Sequence, residues 1–280
     1  MLWKLRNRSL DLTRSGLIMG VLNVTPDSFS DGGEFLTADK ATERGLQMAA
    51  EGAHIIDVGG ESTRPGSQPV TAEVELRRVI PVIENLRAKL DVPISIDTSK
   101  AEVARAAIEA GASIVNDVTG GQGDDQMLPL VAETKSALII MHMQGTPRTM
   151  QIQPRYTDVI AEISEFFRQQ YASAIGLNID PMAIAFDPGI GFGKTLEHNL
   201  EVLAQLEQLR AHDRALVVGV SRKSFLGRLI GSPEVRNRLI PGVALTSLLR
   251  ARGADVFRVH DVRENVYALQ VTEAILQRAK

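Results

Sequence analysis

A (β/α)8 barrel with a parallel eight-stranded core is the architecture this sequence predicts, on three observations. Short, apolar, β-branched runs recur eight times, helical segments separate them, and a glycine turn leads from helix to strand at three places. The runs are GLIMGVLNV (16–24), HIIDVGG (54–60), PISIDT (93–98), SIVNDVT (113–119), ALIIMHM (137–143), AIAFDPG (183–189), ALVVGVS (215–221) and DVFRVHD (255–261). Their hydrophobicity is nearly continuous rather than alternating, so they read as strands buried on both faces, as in a parallel sheet. Segments such as AEVELRRVIPVIENLRAKL (72–90) and TLEHNLEVLAQLEQLRAHD (195–213) have helical spacing. EGA (51–53), AGA (110–112) and RGA (252–254) each close a helix, where glycine can take the left-handed conformation that ends it. Eight such units match the roughly 250 residues of a closed barrel; a doubly wound open sheet is the alternative. No linker, low-complexity tract or charge block divides the chain, so residues 1–280 read as one domain.

Composition narrows the function. A net charge of -3 and a pI near 6.0 give no global basic field, which argues against nucleic acid or an anionic membrane surface as partner. Any anion site must therefore be local. The chain has no cysteine, so disulfides, thiolate metal sites and Cys nucleophiles are excluded, and a reducing cytoplasm suits it. MLWKLRNRSLDLTRSG (1–16) is basic but lacks an apolar signal core, and no stretch approaches the roughly 20 apolar residues of a membrane span. A soluble, unprocessed, cytoplasmic protein is the expectation.

Polar residues sit at or just past strand after strand: Asn23, Asp57, Asp97, Asn116, His142, Asp187, Ser221, Arg258 and His260. In a barrel these ends converge on the face where active sites lie. Asp57 and Asp117 read more simply as turn or cap residues, and His142 as a hydrogen-bonded structural histidine. Asp97, Asn116 and Asp187 offer acceptors and an amide suited to the N–H edge of a polar heterocycle. Lys223, Arg258 and His260, from the seventh and eighth strand ends, gather where barrels commonly bind phosphate, and Arg64 could join them. A solvated basic loop is the alternative for Arg222 and Lys223, and Lys223 is taken as a binding cation.

DPGIGFGKT (187–195) resembles a phosphate loop, yet Pro188 stands where GxxxxGK[ST] requires glycine, so its glycines serve a sharp turn or close approach to a ligand instead. No His, Asp or Glu spacing demands zinc. TPDSFSDGG (25–33) and ESTRPGSQPV (61–70) are longer than minimal βα turns and carry Phe29 and Pro65 with nothing local to bury them, so they read as lids over an aromatic substrate.

MGVLNVTPDSFSDGG (19–33), DVGGESTRPG (57–66), SIDTSK (95–100), NDVTGG (116–121), MHMQGTP (141–147), FDPGIGFGK (186–194), SRKSFLG (221–227) and RVHDV (258–262) together resemble dihydropteroate synthase, of the pterin-binding TIM-barrel family, nearly end to end. The resemblance implies a transferase of folate synthesis that joins 6-hydroxymethyl-7,8-dihydropterin pyrophosphate to p-aminobenzoate. It places Asp97, Asn116, Asp187 and Lys223 around the pterin ring, and Asn23, Thr63, Arg64, Arg258 and His260 around the pyrophosphate. Mg2+ would bridge Asn23 and that group. Phe29, Pro65 and Ser221 would form the p-aminobenzoate pocket, where sulfonamides compete, and Asp97, Lys223, Arg258 and His260 would be the catalytic set. A homodimer through outer helices near the C-terminus is also implied. Two other classes remain to be separated: a barrel that presents methyltetrahydrofolate to a corrinoid protein, and a Schiff-base aldolase with Lys223 as nucleophile.

Overall fold

The computed structural model describes residues 1–25, 34–63 and 66–278. A hairpin of β1 (Leu2–Lys4) and β2 (Ser9–Asp11) comes first. Eight parallel strands follow: β3 (Leu17–Asn23), β4 (Ile55–Gly59), β5 (Ile94–Asp97), β6 (Ile114–Asp117), β7 (Ala137–Met141), β8 (Ile184–Asp187), β9 (Ala215–Val218) and β10 (Val256–Val259). They close in the order β10-β3-β4-β5-β6-β7-β8-β9, so the open-sheet alternative is overturned. Around them run α1 (Glu34–Ala50), α2 (Ala72–Lys89), α3 (Ala101–Ala110), α4 (Met127–Thr134), α5 (Val159–Gly176), α6 (Leu196–Ala204), α7 (Ser224–Leu229), α8 (Leu239–Ala251) and α9 (Val262–Leu276).

Two expectations about helices fare differently. The segment 72–90 forms one helix, with the Thr71 hydroxyl capping Val74 N–H and Pro81 accommodated inside. The segment 195–213 does not: α6 stops at Ala204, and 3-10 turns at Leu206–Leu209 and Ala211–Asp213 finish it. Leu206 and Leu209 are buried, and His212 turns left-handed at φ 51° with its ring stacked 3.8 Å from that of Tyr171, so local packing wins over the helical pattern. The three helix-closing glycines behave as read: Gly52, Gly111 and Gly253 have φ of 101°, 122° and 91°.

Continuous hydrophobicity in the strands conceals a strict alternation. Met19, Ile55, Ile114, Ile139, Ala185, Val217 and Val256 pack in one cluster, while their neighbours Ile18, Ile56, Val115, Ile140, Phe186, Val218 and Phe257 pack in another with helix residues such as Ile83, Phe167 and Val262. The first cluster fills the barrel and the second seals it to its helices, because successive strand side chains point to opposite faces.

The N-terminal segment has a role its composition did not suggest. Trp3, Leu5 and Leu12 join the interior cluster, and Trp3 is fully buried with Nε1 donating to the Ala183 carbonyl at 3.1 Å. The hairpin is therefore the floor of the barrel, and side chains at the C-terminal ends of the strands line its opposite mouth. Trp3→Ala opens a cavity under the interior layer and should lower the unfolding free energy by about 3–5 kcal/mol in urea denaturation. Activity per folded molecule should be unchanged, since the hairpin lies at the far end from the mouth.

Candidate active site at the barrel mouth

The alternation that buries the interior layer also aims the polar residues. Asp57 lies two residues beyond Ile55, Asn116 beyond Ile114, Asp187 beyond Ala185 and Arg258 beyond Val256, so each points inward one layer higher. Asp97 reaches the same mouth two residues beyond buried Ser95, paired in register with Gly59 on one side and Asn116 on the other.

Arg258 organises this layer. Its Nε donates to Asp57 Oδ2 at 2.6 Å and its Nη2 to Asp97 Oδ2 at 2.5 Å, while Asn116 Nδ2 donates to the same Asp57 oxygen at 3.2 Å. Burial opposes the guanidinium charge, but the two carboxylates outweigh it and hold the group more firmly protonated than usual. Asp57 is fully buried in this ion pair, which corrects its reading as a turn residue. Asp117 does act as one, accepting from Thr119 N–H at 2.8 Å and Gly121 N–H at 2.8 Å. The expected division into a ring-binding half and an anion-binding half is also bridged, because Arg258 and Asp97 are bonded to each other.

Asp97 carries the clearest mark of a binding group. Burial pushes its carboxyl up to about 7, against the pull of Arg258, and its Oδ1 is buried without a hydrogen-bond partner among the described residues. A buried acceptor left so is costly unless a ligand donates to it. A Cβ on Gly59 would lie 3.4 Å from Asp97 Cβ and 3.8 Å from Asn23 Oδ1, so that glycine keeps open the corner these two residues share.

The loop after β8 builds the opposite wall. Asp187 Oδ1 accepts from Gly189 N–H at 2.7 Å, and burial raises its carboxyl despite Lys223 nearby. Lys223 Nζ donates to the Ile190 carbonyl and lies 4.6 Å from the centre of the Phe192 ring; burial pushes its ammonium down to about 8. Lys223 is thus part of the site, whereas its exposed neighbour Arg222 pairs with Asp261 at 2.5 Å. The loop's glycines serve close approach to protein: a Cβ on Gly189 would come within 1.9 Å of the His142 carbonyl oxygen, and one on Gly193 within 2.4 Å of that of Gln144.

On the β9–β10 side, Ser221 Oγ lies 3.2 Å from His260 Nδ1 and 3.2 Å from its backbone nitrogen. Asn23 and Thr63 are half-buried at the ends of β3 and of the segment after β4. Phe29, Arg64, Pro65 and the rest of the segment 26–33 lie outside the described residues, and with them most of the expected lid and p-aminobenzoate pocket.

Sequence reasoning missed Asp57, Lys194 and the Glu75–Lys100 pair. His142 is hydrogen-bonded as expected, but its partner is the almost fully buried Lys194, with Nζ 3.0 Å from His142 Nδ1. Lys100 Nζ donates to Glu61 and, at 2.6 Å, to fully buried Glu75 on α2, anchoring the base of the second loop. Position two beyond an interior apolar residue could have flagged Asp57; no local pattern marks the other two. Asp57→Asn removes the fully buried one of the two carboxylates that hold the Arg258 guanidinium. It should cost about 3 kcal/mol in urea denaturation, the low end for a broken buried pair because Asp97 remains.

Comparison with known proteins agrees with this geometry. The family model for pterin binding enzymes matches residues 19–260. The dihydropteroate synthase of Escherichia coli strain K12 is 46% identical over 270 residues, covering 96% of this chain and 94% of its own length. Among solved structures, Yersinia pestis dihydropteroate synthase, in complex with a sulfonamide drug, superposes with a TM-score of 0.92 at 42% identity and covers 100% of both chains. The Xanthomonas albilineans dihydropteroate synthase with 4-aminobenzoic acid does so with a TM-score of 0.92 at 42% identity, over 98% of each chain. With a closed barrel, a ring of buried polar groups at its mouth and near-complete coverage by these relatives, the chain belongs to the pterin-binding enzyme family, among the dihydropteroate synthases.

Proposed function

We propose that this barrel mouth joins 6-hydroxymethyl-7,8-dihydropterin pyrophosphate to p-aminobenzoate, with pyrophosphate leaving before the arylamine attacks. The observation that carries the reading is the buried Asp97 Oδ1, which has no hydrogen-bond partner among the described residues although Oδ2 of the same carboxyl is held by Arg258. Asp97, Asn116 and Asp187 hold the ring by its N–H edge, and Lys223 binds it from the far wall. Asn23, Thr63, Arg64, Arg258 and His260 hold the pyrophosphate, and Ser221 joins Phe29 and Pro65 in the p-aminobenzoate pocket, where a sulfonamide would compete.

Such a site needs no protein nucleophile. The bond between the pterin methylene and the pyrophosphate oxygen breaks, and both its electrons leave with pyrophosphate. The electron-rich dihydropterin spreads the positive charge left on the methylene, and the Asp97 carboxylate stabilises it electrostatically. The amine nitrogen then bonds to the methylene and loses its proton. Closure of the loops after β3 and β4 excludes water, which would otherwise capture the cation.

Among the described residues no group of three or more His, Asp or Glu side chains could hold a metal ion. The amide oxygen of Asn23 is a single hard donor, which fits Mg2+ arriving on the pyrophosphate, since that ion takes one or two protein ligands and completes its shell with phosphate and water. When bound it neutralises charge on the leaving group.

Exposed apolar side chains on the outer helices support the reading of a homodimer. Tyr267, Val271 and Ile275 on α9 are 60%, 62% and 65% exposed at four-residue spacing, and Ile240 on α8 is 79% exposed. An apolar stripe of this kind suits a second copy of the chain. No helix among the described residues is long and apolar enough to cross a membrane, and the cysteine-free composition suits the cytoplasm.

Two measurements test the reading. Purified protein with dihydropterin pyrophosphate and Mg2+ should release pyrophosphate and form dihydropteroate in step, and only when p-aminobenzoate is present. Pterin binding with neither product would overturn it. In addition, kcat/KM for the pterin substrate should rise with pH through about 7, because burial raises the Asp97 carboxyl to that value and the ionised form is the one that stabilises positive charge. Residual activity of Asp97→Asn should lack that limb of the profile.

A further inference from the structure

Lys194 takes no part in the chemistry above, yet it is 2% exposed, and burial pushes its ammonium down to about 7. Its Nζ has three donors and three close acceptors: His142 Nδ1 at 3.0 Å, the Gly189 carbonyl at 3.0 Å and the Phe192 carbonyl at 3.1 Å. Among the described residues no carboxylate bonds it. All its partners are neutral, so the ammonium is spent on fixing backbone rather than on an ion pair, and its burial keeps it from touching substrate.

The carbonyls it holds frame the turn that serves the pterin wall. Gly189 donates its N–H to Asp187 while giving its carbonyl to Lys194, and Phe192 presents its ring to Lys223 while doing the same. Ile190, which accepts from Lys223, lies between these two anchors. The third partner, His142, belongs to the loop after β7, and that loop is stapled to the same turn by Tyr156 Oη donating to the Gly193 carbonyl at 2.8 Å and by Gln151 Nε2 donating to the Gly191 carbonyl at 2.8 Å.

We propose that Lys194 is a positioning residue for the pterin subsite, clamping the loops after β7 and β8 together so that Asp187 and Lys223 meet the ring in fixed geometry. This rests on the assignment of the pterin ring to Asp187 and Lys223. A lysine suits the task because a buried ammonium can bond three carbonyl or imidazole acceptors at once, which no neutral side chain of similar length can do.

The test is steady-state kinetics of Lys194→Met and Tyr156→Phe beside the wild type, each variant first shown to unfold cooperatively. Lys194→Met should raise the KM for dihydropterin pyrophosphate about tenfold, and Tyr156→Phe, which removes only one staple, about threefold. In both, kcat and the KM for p-aminobenzoate should stay within about twofold of wild type, whereas a purely structural defect lowers the active fraction and leaves each KM unchanged. A folded Lys194→Met with an unaltered pterin KM overturns the proposal. Should that variant fail to fold, an unaltered pterin KM in Tyr156→Phe overturns it equally. Lys223→Met serves as the control: if its pterin KM is also unaltered, the assignment of the ring to this wall has failed, rather than the clamp alone.

Discussion

The mouth of this barrel depends on one half-buried cation. The Arg258 guanidinium on β10 lies between Asp57 and Asp97 on the neighbouring strands β4 and β5, and Asn116 also donates to Asp57. Two carboxylates this close would repel and one would protonate; with the guanidinium between them they form a rigid strut across the barrel. A planar fork with fixed donor directions suits that geometry as a lysine ammonium would not. The strut also leaves one oxygen of each carboxylate without a hydrogen-bond partner among the described residues, and an acceptor in that state is what the site can offer a ligand.

That strut can be buried only because everything beneath it is dry and close-packed. The interior cluster closes the barrel from Val256 and Met19 down to Trp3 of the hairpin, so water has no route to Arg258 from below. Low dielectric then works in both directions. It strengthens each interaction at the mouth, and it makes each unpaired group costly, which is why Asp97, Asp187 and Lys223 all titrate away from their ordinary values in the direction burial dictates.

Sequence alone reveals the barrel well and the site in part. All eight strands lie where apolar runs with turn signals put them, because strands buried on both faces leave a contiguous trace. Asp97, Asn116, Asp187, Lys223 and Arg258 are legible as a set, since a polar residue at the end of an apolar run has few structural reasons to recur strand after strand. Asp57 reads as a turn residue because a lone aspartate near a turn looks the same whether it caps a turn or meets an arginine 201 positions away. Lys194 and Glu75 were hidden for a related reason: their meaning lies in burial, and burial of a charged residue is a property of tertiary contacts that a glycine-rich loop or an amphipathic helix does not announce. The hairpin floor escaped because its two strands are three residues each and only Trp3 hints that they go inside.

Charge balance at the mouth connects these pieces. Asp57, Asp97 and Asp187 lie near Arg258, Lys223 and Lys194, three potential anions with three potential cations; Arg258 bonds Asp57 and Asp97, while the two lysines bond backbone carbonyls and act on Asp187 through space. A neutral pterin ring can enter by meeting the unpartnered Asp97 oxygen without disturbing that balance. A pyrophosphate cannot. Arg258 already serves two carboxylates, so holding the pyrophosphate's negative charge would call on the rim as well, where His260 and Arg64 stand in sequence, or on Mg2+ carried in with it. On the proposed mechanism the same arithmetic would favour departure: breaking the carbon–oxygen bond would put positive charge on the pterin beside Asp97, and the mouth would then be matched to the cation it must hold and to the anion it must release.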